Sequence, residues 1–363
     1  RRPSSFRPAR ANSRSLPSNP LPDDALASAL KLRARQKGAD IVGIASAVAV
    51  PEAPHYHRWI SAGMHGSMGY LESRAAARRD IRAWYAETRS VLVCGFNYAS
   101  NTPEKTAPGQ GRVARYARLP DYHDELGKRL SGLLEWLRGR RPGADGRVFV
   151  DTSPILERTY ARLAGLGWIG KNTMLLSPRH GSYFFIAGLA LNIELPADAV
   201  ERDHCGSCRR CLDACPTQAF PRERVLDASR CVAYLTREHR DSIAPELRAD
   251  VGDWAFGCDI CQEVCPWNRF AAPGAAFAAA GDATISLGEI AALDEAAFKA
   301  RWGPTPLARA KRRGLVRNAL LAMGNAGDAR YRPTLEFFLR DPDPLLSEQA
   351  AWSLQRCPTP KPF

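Results

Sequence analysis

A chain of 363 residues is long enough for roughly two or three domains with apolar cores of their own, and its 10 cysteines are too few to act as a disulfide framework in place of one. Lys and Arg number 51 against 38 Asp and Glu, a formal net charge of +13, which favours a polyanionic partner such as nucleic acid and leaves the fold open. No run of about 18 apolar residues occurs, so no membrane-spanning helix is expected.

Residues 1–22, RRPSSFRPARANSRSLPSNPLP, hold five arginines and no acid. They lack the apolar stretch of a secretory signal. The segment reads as a disordered tail, an Arg/Ser-rich transit peptide being the other reading. With no export signal, a cytoplasmic location is expected.

From 23 to 195 helical and extended patterns alternate. DALASALKLRARQKG is amphipathic, with Asp23 or Asp24 as its N-cap. ADIVGIASA and SVLVCGFNYA are short apolar strands, and Cys94 in the second reads as a small buried hydrophobe. DYHDELGKRLSGLLEWLRG repeats apolar residues at helical spacing, RVFVD is a strand, and SPILERTYARLAG is a helix begun by Ser153 and Pro154. GSYFFIAGLALNIEL is a long strand. Together these make an α/β domain with room for a cofactor cavity.

Residues 204–220 read HCGSCRRCLDACPTQAF, with cysteines at 205, 208, 211 and 215 and a proline after the last. Neighbours two residues apart are poorly placed to form disulfides with one another. Zinc sites use two separated Cys pairs, or one pair with two histidines, rather than one tight run. The spacing C-x2-C-x2-C-x3-C-P is the run that wraps [4Fe–4S] clusters, its fourth thiol serving the other cluster. A complementary set should therefore follow, and GCDICQEVCPWNR supplies Cys258, Cys261 and Cys265, again before proline. A complete second run would need a thiol at 255, where Ala255 stands; Cys231 makes up the eighth ligand. Cys205, Cys208, Cys211 and Cys265 would then hold one cluster, and Cys215, Cys231, Cys258 and Cys261 the other. Residues 196–275 form this ferredoxin-like double-cluster domain.

From 276 to 363 the pattern is helical. GLVRNALLAMGN and LLSEQAAWSLQR match at an offset of 31, Ala319 with Ala350 and Met323 with Leu354, which suggests HEAT-like repeats. Cys357 ends the last helix and reads as structural. Residues 299–340 carry ten Lys/Arg and two Asp/Glu, and such a surface beside a redox domain points to nucleic acid. The whole is an α+β multidomain chain.

The motifs DYHDELGKRL, FVDTSPILER, AGLGWIGKNTML and GCDICQEVCPWN, with the two cysteine segments, resemble those of the epoxyqueuosine reductases from about residue 24 onward. The resemblance implies a cobalamin-dependent iron–sulfur oxidoreductase. Such an enzyme reduces the epoxide of epoxyqueuosine at the tRNA wobble position to give queuosine, the last step of queuosine biosynthesis. It implies Asp151, in FVDTSP, as the catalytic proton donor, and donation requires burial to lift its carboxyl well above the usual range. It implies cofactor contacts at Arg74, Ala114, Asp151, Leu175, Ile186, Ala233, Cys258 and Asp259. It implies tRNA contacts near His239, which equally fits a solvated helix face, and on the basic helical part, for which Lys311, Arg312 and Arg313 are the candidates. Lys171 and Asn172 read as pocket residues or as helix-end caps. DYHDELG misses the D-x-H-x-x-G pattern of a histidine-ligated corrinoid by one residue, so His123 is not assigned to cobalt. The partners expected are tRNA and an unidentified low-potential electron donor; the chain is expected to be monomeric.

Two other readings account for only part of the chain. A corrinoid iron–sulfur reductase of small molecules, like the reductive dehalogenases, would have no use for a basic helical tail. A plain ferredoxin-like carrier would leave the first domain without a purpose.

Overall fold

The structure, a computed structural model, describes residues 21–99, 107–271, 274, 277 and 283–359. Most of the N-terminal Arg/Pro/Ser-rich tail lies outside the described residues. Nine strands are found among those described: β1 (Ile41–Ser46), β2 (Ser90–Asn97), β3 (Gln110–Val113), β4 (Gly146–Phe149), β5 (Trp168–Ile169), β6 (Leu175–Leu176), β7 (Phe184–Leu191), β8 (Trp254–Phe256) and β9 (Thr284–Ser286).

The main sheet has the order β1-β2-β7-β4, and every pair in it is antiparallel. The sequence pattern suggested an α/β arrangement; the sheet itself is of α+β type. The ambiguity has a physical cause. All eight residues of β2 are buried because helices cover both faces, and a strand buried on both sides reads as a continuous apolar run whatever its direction. On one face Leu92, Cys94, Phe96, Ala187 and Leu189 pack against helices Asp23–Gln36 and Tyr122–Arg140. On the other, Val91, Val93, Phe149 and Ala190 meet helix Glu157–Leu163. Leu126, Leu130, Leu133, Leu134 and Leu137 repeat at helical spacing and are buried, each contributing about 1.5–3 kcal/mol.

Two helix starts differ from expectation. Pro22, not Asp23 or Asp24, occupies the first N-cap, and the two aspartates lie in the first turn. There they favour the positive helix end through the dipole, and Asp23 also pairs with Arg141. The helix expected from Ser153 begins only at Glu157. Residues 151–155 instead form a turn, in which the Ser153 amide donates to Val150 O at 2.8 Å, and this turn carries Asp151.

A second sheet, β8-β3-β9, draws its strands from widely separated parts of the chain: β3 is parallel to β8 and antiparallel to β9. Against it lies a helical layer of Lys311–Ala326, Arg332–Phe338 and Pro344–Arg356. Ala319, Met323 and Ala350 are fully buried between these helices. A Cβ on Gly324 would stand 2.6 Å from Ser353 Oγ, so glycine allows the first and last of them to approach closely. Cys94 and Cys357 are buried as expected. No described helix is long and apolar enough to cross a membrane.

Candidate functional site

The eight candidate thiols fall on short, tightly turned segments. Helices Arg210–Asp213 and Ile260–Glu263 each stop shortly before a Cys-Pro step. Their mutual influence runs mostly within the two expected sets, with Cys211 also acting on Cys261 across them. Burial pushes Cys211 up to about 11, and the thiols of Cys265, Cys205 and Cys208 add to the rise. Cys258 is raised by burial and then by Cys231 and Cys215; Cys261 by burial, then by Cys258 and Cys231. Buried, mutually repelling thiols become stable thiolates when a cationic centre sits among them. Among the described residues no three His, Cys, Asp or Glu side chains converge on a single-ion site. A cubane holds its ligands at separate corners, further apart than the ligands of one zinc ion. Cys205, Cys208, Cys211 and Cys265 border a cleft of about 280 Å³ with Lys171, Asn172, His204 and Trp267. Trp168 Nε1 donates to Cys205 Sγ at 3.4 Å, and the Ala219 amide to Cys215 Sγ at 3.3 Å.

Asp151 stands on its turn with the side chain 59% exposed. Tyr122 Oη donates to its Oδ2 at 3.3 Å. His123 Nε2 lies 3.5 Å from the same oxygen, and His123 Nδ1 lies 2.6 Å from Asp121 Oδ1. Tyr122 is clamped between His123 and Phe185, with ring centroids 4.2 and 3.9 Å apart. Desolvation pushes the Asp151 carboxyl up, but the His123 interaction and the Arg237 charge outweigh it and hold the carboxyl below its usual range. This corrects the expectation of a raised value: the positive groups beside it were not visible as neighbours in the sequence. His123 moves the other way, raised first by Asp151 against the cost of burial, with Asp121 adding. Both ring nitrogens of His123 face carboxylates.

Several expected cofactor contacts are neighbours. The Ala114 amide donates to Phe256 O at 2.9 Å, and a Cβ on Gly257 would stand 2.5 Å from that of Ala114. The next residue is Cys258. Asp259 is buried, accepting from the Arg115 amide at 2.7 Å and Gln262 Nε2 at 3.1 Å, so it fixes the loop around Cys258. Ala233 lies on helix Val232–Arg237, whose Thr236 Oγ1 accepts from the Gly257 amide at 2.9 Å. Leu175 and Ile186 lie in and against the core cluster around helix Glu157–Leu163. Arg74 is exposed at the start of helix Ala75–Arg79 and has no hydrogen bond or ion pair to the residues just named. Lys171 and Asn172 are buried in the turn between β5 and β6, not at a helix end. Lys171 pairs with Glu223 at 2.8 Å, and Asn172 Nδ2 donates to Cys261 O at 3.3 Å.

The tRNA candidates are unequally placed. His239 is held between Tyr234 Oη at 3.4 Å and Ser242 O at 3.0 Å. Arg312 Nε donates to Leu293 O at 2.5 Å, and Arg313 pairs with Asp343 at 2.5 Å. Lys311 is exposed, with no ion pair to the described residues.

Sequence reasoning passed over Tyr122, Trp168 and Arg237. Tyr122 and Trp168 stand inside quoted motifs, but as aromatic residues in an apolar pattern they read as core. Arg237 sits in YLTREH with no local signal. It reaches Tyr116 Oη at 3.4 Å, and its charge acts on both Asp151 and Cys231.

Comparison with known proteins agrees with this arrangement. Residues 78–152 match the family described as Epoxyqueuosine reductase QueG, DUF1730, and residues 204–268 match the 4Fe-4S double cluster binding domain. An epoxyqueuosine reductase of Pseudomonas aeruginosa is 38% identical over 347 residues, covering 92% of this chain and 96% of its own. One from Xanthomonas campestris pv. campestris is 37% identical over 344 residues, covering 92% and 97%. A crystal structure of epoxyqueuosine reductase with an epoxyqueuosine-modified tRNA-Tyr stem loop superposes with a TM-score of 0.82 at 28% identity, covering 92% of this chain and 90% of that one. The thiol ladder, the Asp151 turn and this full-length similarity lead to one assignment: the chain belongs to the epoxyqueuosine reductase family.

Proposed function

We propose that this protein reduces the epoxide of epoxyqueuosine in the anticodon loop of tRNA to the alkene of queuosine. The observation that carries the reading is Arg237: one guanidinium acts on the Asp151 carboxylate and on Cys231, so the acid–base site and the second thiol set share one locality. The double-cluster match and the tRNA stem loop bound by a relative support the same reading.

The overall change takes two electrons and two protons, and the epoxide oxygen leaves as water. Cobalamin and two [4Fe–4S] clusters, when bound, supply electrons at low potential. The eight thiols would hold the clusters, while Ala114, Ala233, Cys258 and Asp259, with Arg74, Asp151, Leu175 and Ile186, would contact the corrinoid. The protein's own task is the proton. His123 keeps a proton that Asp151, held ionised, does not, and Tyr122 orients the carboxylate between them. When substrate covers the Asp151 turn and excludes water, the carboxylate becomes the costlier charge and takes the proton for delivery to the oxygen.

The division of labour follows the chain. Residues 23–195 bind the corrinoid and carry Asp151, 196–275 hold the clusters, and the HEAT-like helices of 276–363 meet tRNA through a face that includes Lys311. The protein acts as a cytoplasmic monomer fed by a low-potential donor. Reduced, cobalamin-loaded protein should convert tRNA from cells lacking this activity, seen as loss of one oxygen mass from the isolated nucleoside. An unchanged nucleoside would overturn the assignment.

A further inference from the structure

The first thiol set faces outward. Between Cys205 and Cys208 the loop exposes Gly206 and Ser207, and a Cβ on Gly206 would meet nothing within 4 Å. A partner's surface can therefore come close to these sulfurs. The other set lies beside helix Val232–Arg237, which follows Cys231 and whose Thr236 Oγ1 accepts from the Gly257 amide next to Cys258 at 2.9 Å, on the side where the substrate is proposed to bind.

Around the outward loop the charges form a distinctive rim. Arg202, Arg210 and Arg222 are exposed and have no ion pair with any described residue. The segment carrying Arg222 is tied to the loop, because Arg224 pairs with Asp203 and Glu223 pairs with Lys171 on the wall of the cleft. The neighbouring groups are engaged locally: Arg209 pairs with Asp213 at 3.5 Å, and His204 Nε2 lies 3.0 Å from Glu201 Oε1. Three unspent cations remain, spaced among neutralised pairs. A phosphate backbone is tracked by an unbroken basic stripe. A rim broken by acids matches instead a folded protein whose acidic patch meets the three arginines one by one.

We propose that this rim docks a small acidic one-electron carrier protein of the ferredoxin class, with Arg202, Arg210 and Arg222 gripping its carboxylates around the Cys205–Cys208 loop. This rests on the function proposed above. Each encounter oxidises the carrier by one electron and reduces this protein by one. Two encounters and two protons balance one epoxide becoming one alkene and one water.

The test uses holoprotein and an acidic plant-type [2Fe–2S] ferredoxin as the probe. Wild type should bind it with an affinity that falls steeply with salt. The triple variant R202E/R210E/R222E should bind about tenfold or more weakly at low ionic strength, with a flattened salt dependence. Its cluster spectrum, its tRNA affinity and its dithionite-driven turnover should match wild type. Equal ferredoxin affinity in the two proteins overturns the docking face, and so does a variant that loses tRNA binding while keeping ferredoxin binding. If arginine-dependent ferredoxin binding is found but dithionite-reduced wild type leaves epoxyqueuosine unchanged, the docking face stands and the proposed function fails.

Discussion

His123 is the bridge between two carboxylates: its Nε2 lies 3.5 Å from Asp151 Oδ2 and its Nδ1 lies 2.6 Å from Asp121 Oδ1. Because Asp151 and Asp121 raise it above the ordinary histidine value, the imidazolium persists to a higher pH than in a free histidine. Turnover that draws on this proton should be full at low pH and fall as pH rises through the raised value. His123→Asn should move that descending limb to lower pH, since Arg237 still holds Asp151 down. Single-turnover rates across pH measure this; an unmoved limb would exclude His123 as the proton's source.

Asp151→Asn should lower turnover by about 10²–10⁴-fold and leave cluster content and tRNA affinity intact. The side chain lies on an exposed turn, so little stability depends on it. Loss of folding or of tRNA binding in this variant would mean that the residue is structural.

The two thiol sets should be separable. Reconstituted protein should carry about eight iron atoms. Cys265→Ser and Cys258→Ser should each bring this to about four, removing different clusters, and the double variant to near none. Iron analysis with electron paramagnetic resonance distinguishes the two halves.

Arg317 is wholly buried, and its guanidinium donates to Leu235 O, His239 O, Asp241 O and Asn318 Oδ1. Arg317→Met keeps the volume and strands these acceptors, so a loss of about 3 kcal/mol or more is expected in chemical denaturation. A variant as stable as wild type would show that water replaces the guanidinium.

Lys311→Glu should weaken tRNA binding and reduce the slope of its salt dependence by about 1 without changing stability. Arg313→Glu should do both, because it also breaks the pair with Asp343. Identical tRNA isotherms for wild type and Lys311→Glu would place the RNA on another surface.

The double-cluster domain was legible in the sequence because a cubane imposes fixed local spacings, and residues 204–268 match such a domain. The strands and long helices were legible from period and burial. What the chain could not reveal were directions and encounters. β2 and β7 look like parallel strands because both faces are covered, and they run antiparallel. Asp151 carries a clear motif, but its charge state depends on His123 and Arg237, which are 28 and 86 positions away. The basic count of 299–340 was right as arithmetic and misleading as a surface: Arg317 is interior, and Arg312 and Arg313 serve the protein's own carbonyls and carboxylates.

The sheet β8-β3-β9 limits how this protein can be dissected. Its central strand comes from before the cysteine segments, one edge from between those two segments, and the other from the approach to the helices. Asn318 Nδ2 then bonds to both Thr236 O and Ala255 O, at 2.8 and 2.9 Å. Cutting the gene near residue 276 would therefore yield no autonomous RNA-binding fragment and no clean redox core, but two pieces each missing a strand partner.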